Sequence, residues 1–169
     1  MKKILLLSDT HGHIDKSILK YVRNTDEVWH AGDIGNLSVT DTIEKIKPLR
    51  AVYGNIDGQD ARLSYPEFQH FYCEKVLVLM THIGGSPGGY NPKVRYALSK
   101  SLPKIFICGH SHILKVMQDK KYKHLHMNPG AAGIQGFHQV RTMLRFEINK
   151  DKIENLEAIE LGMRGVFKD

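Results

Sequence analysis

Five short apolar runs in this chain each end in a polar cluster of Asp, His, Asn and Gly. Ile4–Leu7 leads into Asp9-Thr10-His11, Val28-Trp29 into Gly32-Asp33, and Ala51-Val52-Tyr53 into Gly54-Asn55. Val76–Met80 is followed by His82, and Ile105–Cys108 by Gly109-His110-Ser111-His112. Apolar runs of this length bounded by turn residues predict buried strands. An open α/β sheet collects its ligands at the carboxyl ends of its strands. Carboxylates, imidazoles and an amide gathered there suit a pair of transition metals such as Mn or Fe, or Zn, better than Ca or Mg alone.

The intervening segments complete the architecture. Ile14–Val22 carries apolar residues at helical spacing, and a second helix is expected over Ser38–Ile46, with Ser38 as its cap and Asp41 in its first turn. Lys3–Leu7, Glu27–His30, Arg50–Tyr53 and Lys104–Cys108 are expected strands, with a helix near Val94–Lys100. Phe68–Cys73 and Val76–Met80 form an expected hairpin across Glu74-Lys75. After His112, Leu114–Gln118 with Tyr122–Met127, and Arg141–Ile148 with Lys152–Ile159, read as antiparallel hairpins. The sum is a four-layer α/β/β/α sandwich, two mixed sheets face to face with helices outside. A length of 169 residues predicts one domain over the whole sequence.

Composition narrows the partners. The apolar stretch Ile4–Leu7 is too short for a signal-peptide core, and no segment approaches a membrane span, so a cytoplasmic location is expected. Cys73 and Cys108 lie in strand-like runs without the spacing of a zinc or redox motif, and read as buried thiols. The net charge of +6 suits an anionic substrate. Its Lys and Arg residues are nevertheless scattered or gathered in turns around 115–123 and 150–152, without a basic, aromatic-laced stripe for nucleic acid.

The ordered clusters Asp-x-His, Gly-Asp, Gly-Asn-x-Asp, His and Gly-His-x-His resemble the calcineurin-like metallophosphoesterase family, and within it the small bacterial and archaeal phosphodiesterases. The resemblance runs from Lys3 to about Gly133 and includes the Asn128-Pro129-Gly130 turn. It implies that Asp9, His11 and His112 bind a first divalent metal, that Asn55, His82 and His110 bind a second, and that Asp33 bridges both. Manganese is the first expectation, with iron, zinc or nickel also accepted by such ligands. The implied activity is hydrolysis of small or nucleotide-like phosphodiesters by a hydroxide held between the metals, with Asp33, Asn55 and His82 at the reacting centre. A small-molecule phosphoester is then the partner, and a homodimer is the family's expectation.

Each residue also has an ordinary structural reading. Asp9 or Asp33 alone could cap a turn or helix. His110 and His112 alternate, so both face one site only if the backbone turns, for which Gly109 is the candidate. His30, three residues before Asp33, is either a partner orienting that carboxylate or a strand residue. His13 and His126 fall near the clusters in order without being ligands, and His70, His124 and His138 read as surface or hairpin residues.

Two departures from the family pattern stand out. Ile83 follows His82 where Gly is usual, which alters the neighbouring loop. Ile56 stands where many members place a His that protonates the leaving oxygen, a change the small phosphodiesterases often share. Other readings are a phosphomonoesterase or protein phosphatase, and a non-catalytic scaffold like the retromer subunit of this fold. The loops Asn36–Val39, Gly58–Tyr65 and Gly84–Asn91, which would read the substrate, carry no decodable motif.

Overall fold

A computed structural model describes residues 1–166. Three of the first four strands, β1 (Lys2–Leu7), β2 (Glu27–His30) and β3 (Leu49–Ala51), are parallel neighbours. The long hairpin β9 (Val140–Asn149) and β10 (Lys152–Met163) adds antiparallel to β1, giving the order β10-β9-β1-β2-β3. The second sheet runs β4-β5-β6-β8-β7, from β4 (Phe68–Cys73), β5 (Val76–Thr81), β6 (Ile105–Ile107), β7 (Leu114–Gln118) and β8 (Leu125–Pro129). The expected hairpin of β7 with β8 is present, but β8 also pairs parallel with β6 and so lies inside the sheet.

Alternation along the strands sorts the core into layers. Ile4, Leu6 and Trp29 of the first sheet meet Val78, Met80, Ile105 and Met127 of the second. Leu5, Leu7 and Val28 point the other way, onto Ile18 and Val22 of α1 (Lys16–Arg23) and Val39 and Ile43 of α2 (Leu37–Glu44). Leu79 and Phe106 pack on Val94 and Leu98 of α4 (Pro92–Ser101). Helix, sheet, sheet and helix therefore stack as the period-two pattern requires.

The helix starts follow capping chemistry. Asp15 accepts from Ile18 N at the head of α1, and Asn91 accepts from Val94 N at the head of α4, with Pro92 in the first turn. The cap of α2 is Asn36, whose side chain accepts from Ser38 N; Ser38 lies inside the helix. A short helix α3 (Gln59–Ser64) occupies part of the segment read as a substrate loop. Only Ala61 is buried in it, so it carries no apolar period. No helix among the described residues is long and apolar enough to cross a membrane.

Candidate metal centre

The loops that leave β1 and β2 run side by side. Asp9 N donates to Gly32 O, His11 N to Asp33 O, and Gly12 N to Ile34 O, at 2.7–3.0 Å. The loop after β3 is tied to them by Asp57, whose buried carboxylate accepts from Ile34 N, Gly35 N and Gly54 N. Three backbone donors that would otherwise be orphaned are met by one side chain. Gly54 comes so close to Asp33 that a Cβ would lie 2.0 Å from its Oδ1, so no other residue fits there.

From the second sheet, the loops after β5 and β6 bring His82, His110 and His112. The turn that lets both histidines face inward comes from their own left-handed backbone, at φ 70° and 58°, and from the bond of Ser111 N to Gly109 O. Gly109 supplies closeness instead, since a Cβ there would meet Ser8 Oγ at 2.2 Å. Asp9, His11 and Asp33 are left-handed as well, at 54°, 46° and 53°. Five non-glycine residues in this sparsely populated region at one place mark a site whose surroundings over-determine its shape.

Two trios result. Ligand atoms of Asp9, His11 and His112 lie within 4.8 Å of one another, as do those of Asp33, His82 and His110. Asp33 faces both, with Oδ2 3.6 Å from His11 Nε2 and Oδ1 3.2 Å from His82 Nε2. Asp9 Oδ1 is 3.1 Å from His112 Nε2 and 3.8 Å from His82 Nε2. Asn55 follows Gly54 on the exposed rim and lines a pocket with His82, Arg62 and Lys93.

The ring orientations are set from behind. His82 Nδ1 donates to Ala31 O at 2.7 Å, which leaves Nε2 of the neutral ring as a bare lone pair aimed at the carboxylates. His138 Nε2 donates to Gly133 O, so its Nδ1 accepts from His112 Nδ1 at 3.1 Å, and His112 Nε2 is freed in the same way. His138 was expected at the surface or in a hairpin; it is 8% exposed and belongs to this centre. His30, in contrast, does not touch Asp33. It accepts from Gly32 N and bonds Thr10 Oγ1, shaping the backbone of the loop, and burial lowers it to about 4. His13 bonds Asp15 at the head of α1.

Burial opposes ionisation of Asp33, but the His82 ring, Ile56 N and His11 outweigh it and hold the carboxyl below its usual range. Burial likewise opposes a positive charge at His82 Nε2, and is outweighed by Asp33 and Asp9, which favour a cation there, proton or metal ion alike. Asp9 Oδ1, His11 Nε2 and His82 Nε2 are nevertheless buried without a hydrogen-bond partner. Buried acceptors turned toward one another are costly unless a cation stands among them. Carboxylate and imidazole donors in two adjacent trios fit a pair of divalent ions of the transition series.

Known proteins share this fold. The calcineurin-like phosphoesterase superfamily domain matches residues 1–151. A probable metallophosphoesterase of Methanothermobacter thermautotrophicus is 25% identical over 93% of this chain and 91% of its own. An archaeal phosphodiesterase superposes with a TM-score of 0.72 at 24% identity, covering 94% of this chain and 99% of that one. Vps29 of Entamoeba histolytica in complex with zinc gives 0.71 at 17% identity, over 94% and 98%. With its paired sheets and its match across most of the chain, this protein belongs to the calcineurin-like phosphoesterase superfamily.

Proposed function

We propose that this chain is a metal-dependent phosphodiesterase for small or nucleotide-like diesters, using two divalent ions of which manganese is the first candidate. Asp9, His11 and His112 would hold one ion, Asn55, His82 and His110 the other, and Asp33 both. The observation that carries this reading is Asp33, whose two carboxylate oxygens turn to the two trios. Bound divalent ions supply Lewis acidity toward phosphoryl oxygens and acidify water.

The residues do the rest. His82 and His112, locked from behind, keep their Nε2 atoms fixed with no reorganisation when a substrate arrives. Asp57 holds the loops of Asp33 and Asn55 in one register. Asn55, on the rim, can coordinate through its oxygen while its amide donates to a phosphoryl oxygen. Ile56 is 46% exposed beside it and has no proton to give a departing alkoxide. Departure then depends on the leaving group's own acidity, so aryl diesters should be cleaved well and alkyl diesters poorly.

A diester is favoured because the archaeal phosphodiesterase shares the fold over nearly its whole length. The likeness to Vps29 raises the alternative of a non-catalytic scaffold. The buried ligand atoms without a hydrogen-bond partner support a metal site, which an enzyme and a metal-holding scaffold would share, so turnover decides between them. The test is a screen of the purified chain against paired chromogenic monoesters and diesters with Mn, Fe, Zn or Ni added. Metal-dependent diester hydrolysis is expected; faster monoester cleavage, or none with any metal, would overturn the reading.

A further inference from the structure

Beside the metal centre lies a second pocket, of about 250 Å³, that shares His110 with it. Its polar lining includes Ser111, Lys115 and His126, and none of its lining residues is acidic. Lys115 is half-buried and has no carboxylate within ion-pair distance among the described residues. Ser111 Oγ already accepts from Ile113 N and Asn128 Nδ2, so its remaining capacity is to donate.

His126 adds a third donor through a buried relay. The Tyr90 hydroxyl lies 2.9 Å from His124 Nε2 and 3.0 Å from His126 Nδ1. Burial, with the Asp119 carboxylate nearby, pushes the phenol up, so it keeps its one proton. Were that proton given to His124 Nε2, His124 would carry its own on Nδ1, a buried atom without a partner. An orphaned buried N–H is rarer than an unmet acceptor. Between the two histidines, the better arrangement has Tyr90 donating to His126 Nδ1, which would place the His126 proton on Nε2; a hydroxyl turned to Asp119 instead would leave that nitrogen bare. That nitrogen has no hydrogen-bond partner among the described residues, although the residue is only 1% exposed and lines the pocket.

We propose that this pocket is an anion subsite, in which Lys115, Ser111 and the Nε2–H of His126 hold a carboxylate or phosphate on the ester's non-leaving substituent. The subsite rests on the phosphodiesterase reading for its role in turnover, but not for its ability to bind an anion. Lys115 and His126 set specificity here, and Tyr90 is a positioning residue that fixes the His126 tautomer.

Two measurements on the full chain test it. The first is calorimetric binding of phosphoglycolate against ethyl phosphate, as purified and with manganese added. Phosphoglycolate should bind roughly tenfold tighter or better, the size of one charge-assisted hydrogen bond. Lys115→Met should erase the difference, whereas Lys152→Met, at the exposed start of β10, should keep it. Equal affinities, or a preference that survives Lys115→Met, would overturn the subsite even if the enzyme is active. Ring ¹⁵N spectra should show His126 as the Nε2–H tautomer, shifted by phosphoglycolate and altered in Tyr90→Phe; the opposite tautomer would remove His126 from the proposal.

The second measurement compares p-nitrophenyl diesters of glycolate, ethanol and choline, which share one leaving group. The kcat/KM order should be anionic, neutral, cationic, and should collapse in Lys115→Met. A neutral or cationic preference would overturn the subsite. Absence of any hydrolysis would count against the phosphodiesterase alone, with the binding arm still deciding the subsite.

Discussion

The two sheets bring unlike chemistry to a shared edge. Loops after β1, β2 and β3 deliver both carboxylates, one imidazole and an amide, whereas loops after β5 and β6 deliver three imidazoles and no acid. The acidic side is bound tightly into its own backbone. Asp9 Oδ2 accepts from Ser8 Oγ and His110 N, Asp33 from Ile56 N, and Asp57 from three amides. The imidazole side is aimed by single contacts from behind, Ala31 O for His82 and His138 for His112. Neither side is a site alone, because each trio draws on both sheets.

The largest effect should come from removing what joins the trios. Asp33→Asn is expected to lower metal content at both positions and to abolish metal-dependent turnover, while His11→Ala and His82→Ala each empty mainly one. Elemental analysis beside activity checks this, and near-normal metal content in Asp33→Asn would refute the bridging role. Asp57→Ala should destabilise the fold by about 3 kcal/mol or more, since each buried amide left unmet costs roughly 1–3 kcal/mol. Urea unfolding measures it.

The imidazole side should give way more gently. His138→Ala frees His112 to rotate, and the expected loss is about 10–100-fold in metal affinity with the fold retained. Competition with a chromogenic chelator reads that value, and unchanged affinity would make His138 mere packing.

The smallest effect belongs to a carboxylate at the opposite ends of the strands. Glu27 is buried, which opposes its charge, but Trp29 Nε1, Arg50 and Lys2 hold its carboxyl below the ordinary 4.5. Its stabilising contribution is therefore complete above that value and lost as pH falls through the lower folded value. Glu27→Gln should cost about 1–2 kcal/mol at neutral pH, with the gap from the parent closing in acid. A gap that widened in acid would contradict the assignment.

The layers were legible in the sequence because strand ends are local, and the structure gathers six of the seven residues expected as ligands into the two trios, with Asn55 on the rim. Each cluster follows its own apolar run, and parallel neighbours place those ends together. What the sequence did not show depends on contacts across the fold. His138 lies 26 residues from His112 and meets it only once β9 has folded back. His124, read as a surface or hairpin residue, does lie in the β7–β8 hairpin but is fully buried, because Tyr90, from the loop before α4, covers it. α3 is too short for a period, and the α2 cap fell to Asn36 because its carbonyl reaches Ser38 N. Asp57 entered as the last residue of the Gly-Asn-x-Asp cluster without a role of its own, and nothing local announces three amides converging on it.

The division of ligands between the sheets has a mechanical consequence. An ion held by Asp9, His11 and His112, or by Asp33, His82 and His110, would be a clasp across the sandwich as much as a reagent. Ligand present at a hundred times its dissociation constant adds about 2.7 kcal/mol to the folded state. Here that gain would fall on the seam between the layers, so scarcity of metal would loosen the molecule along that seam as it silenced the chemistry.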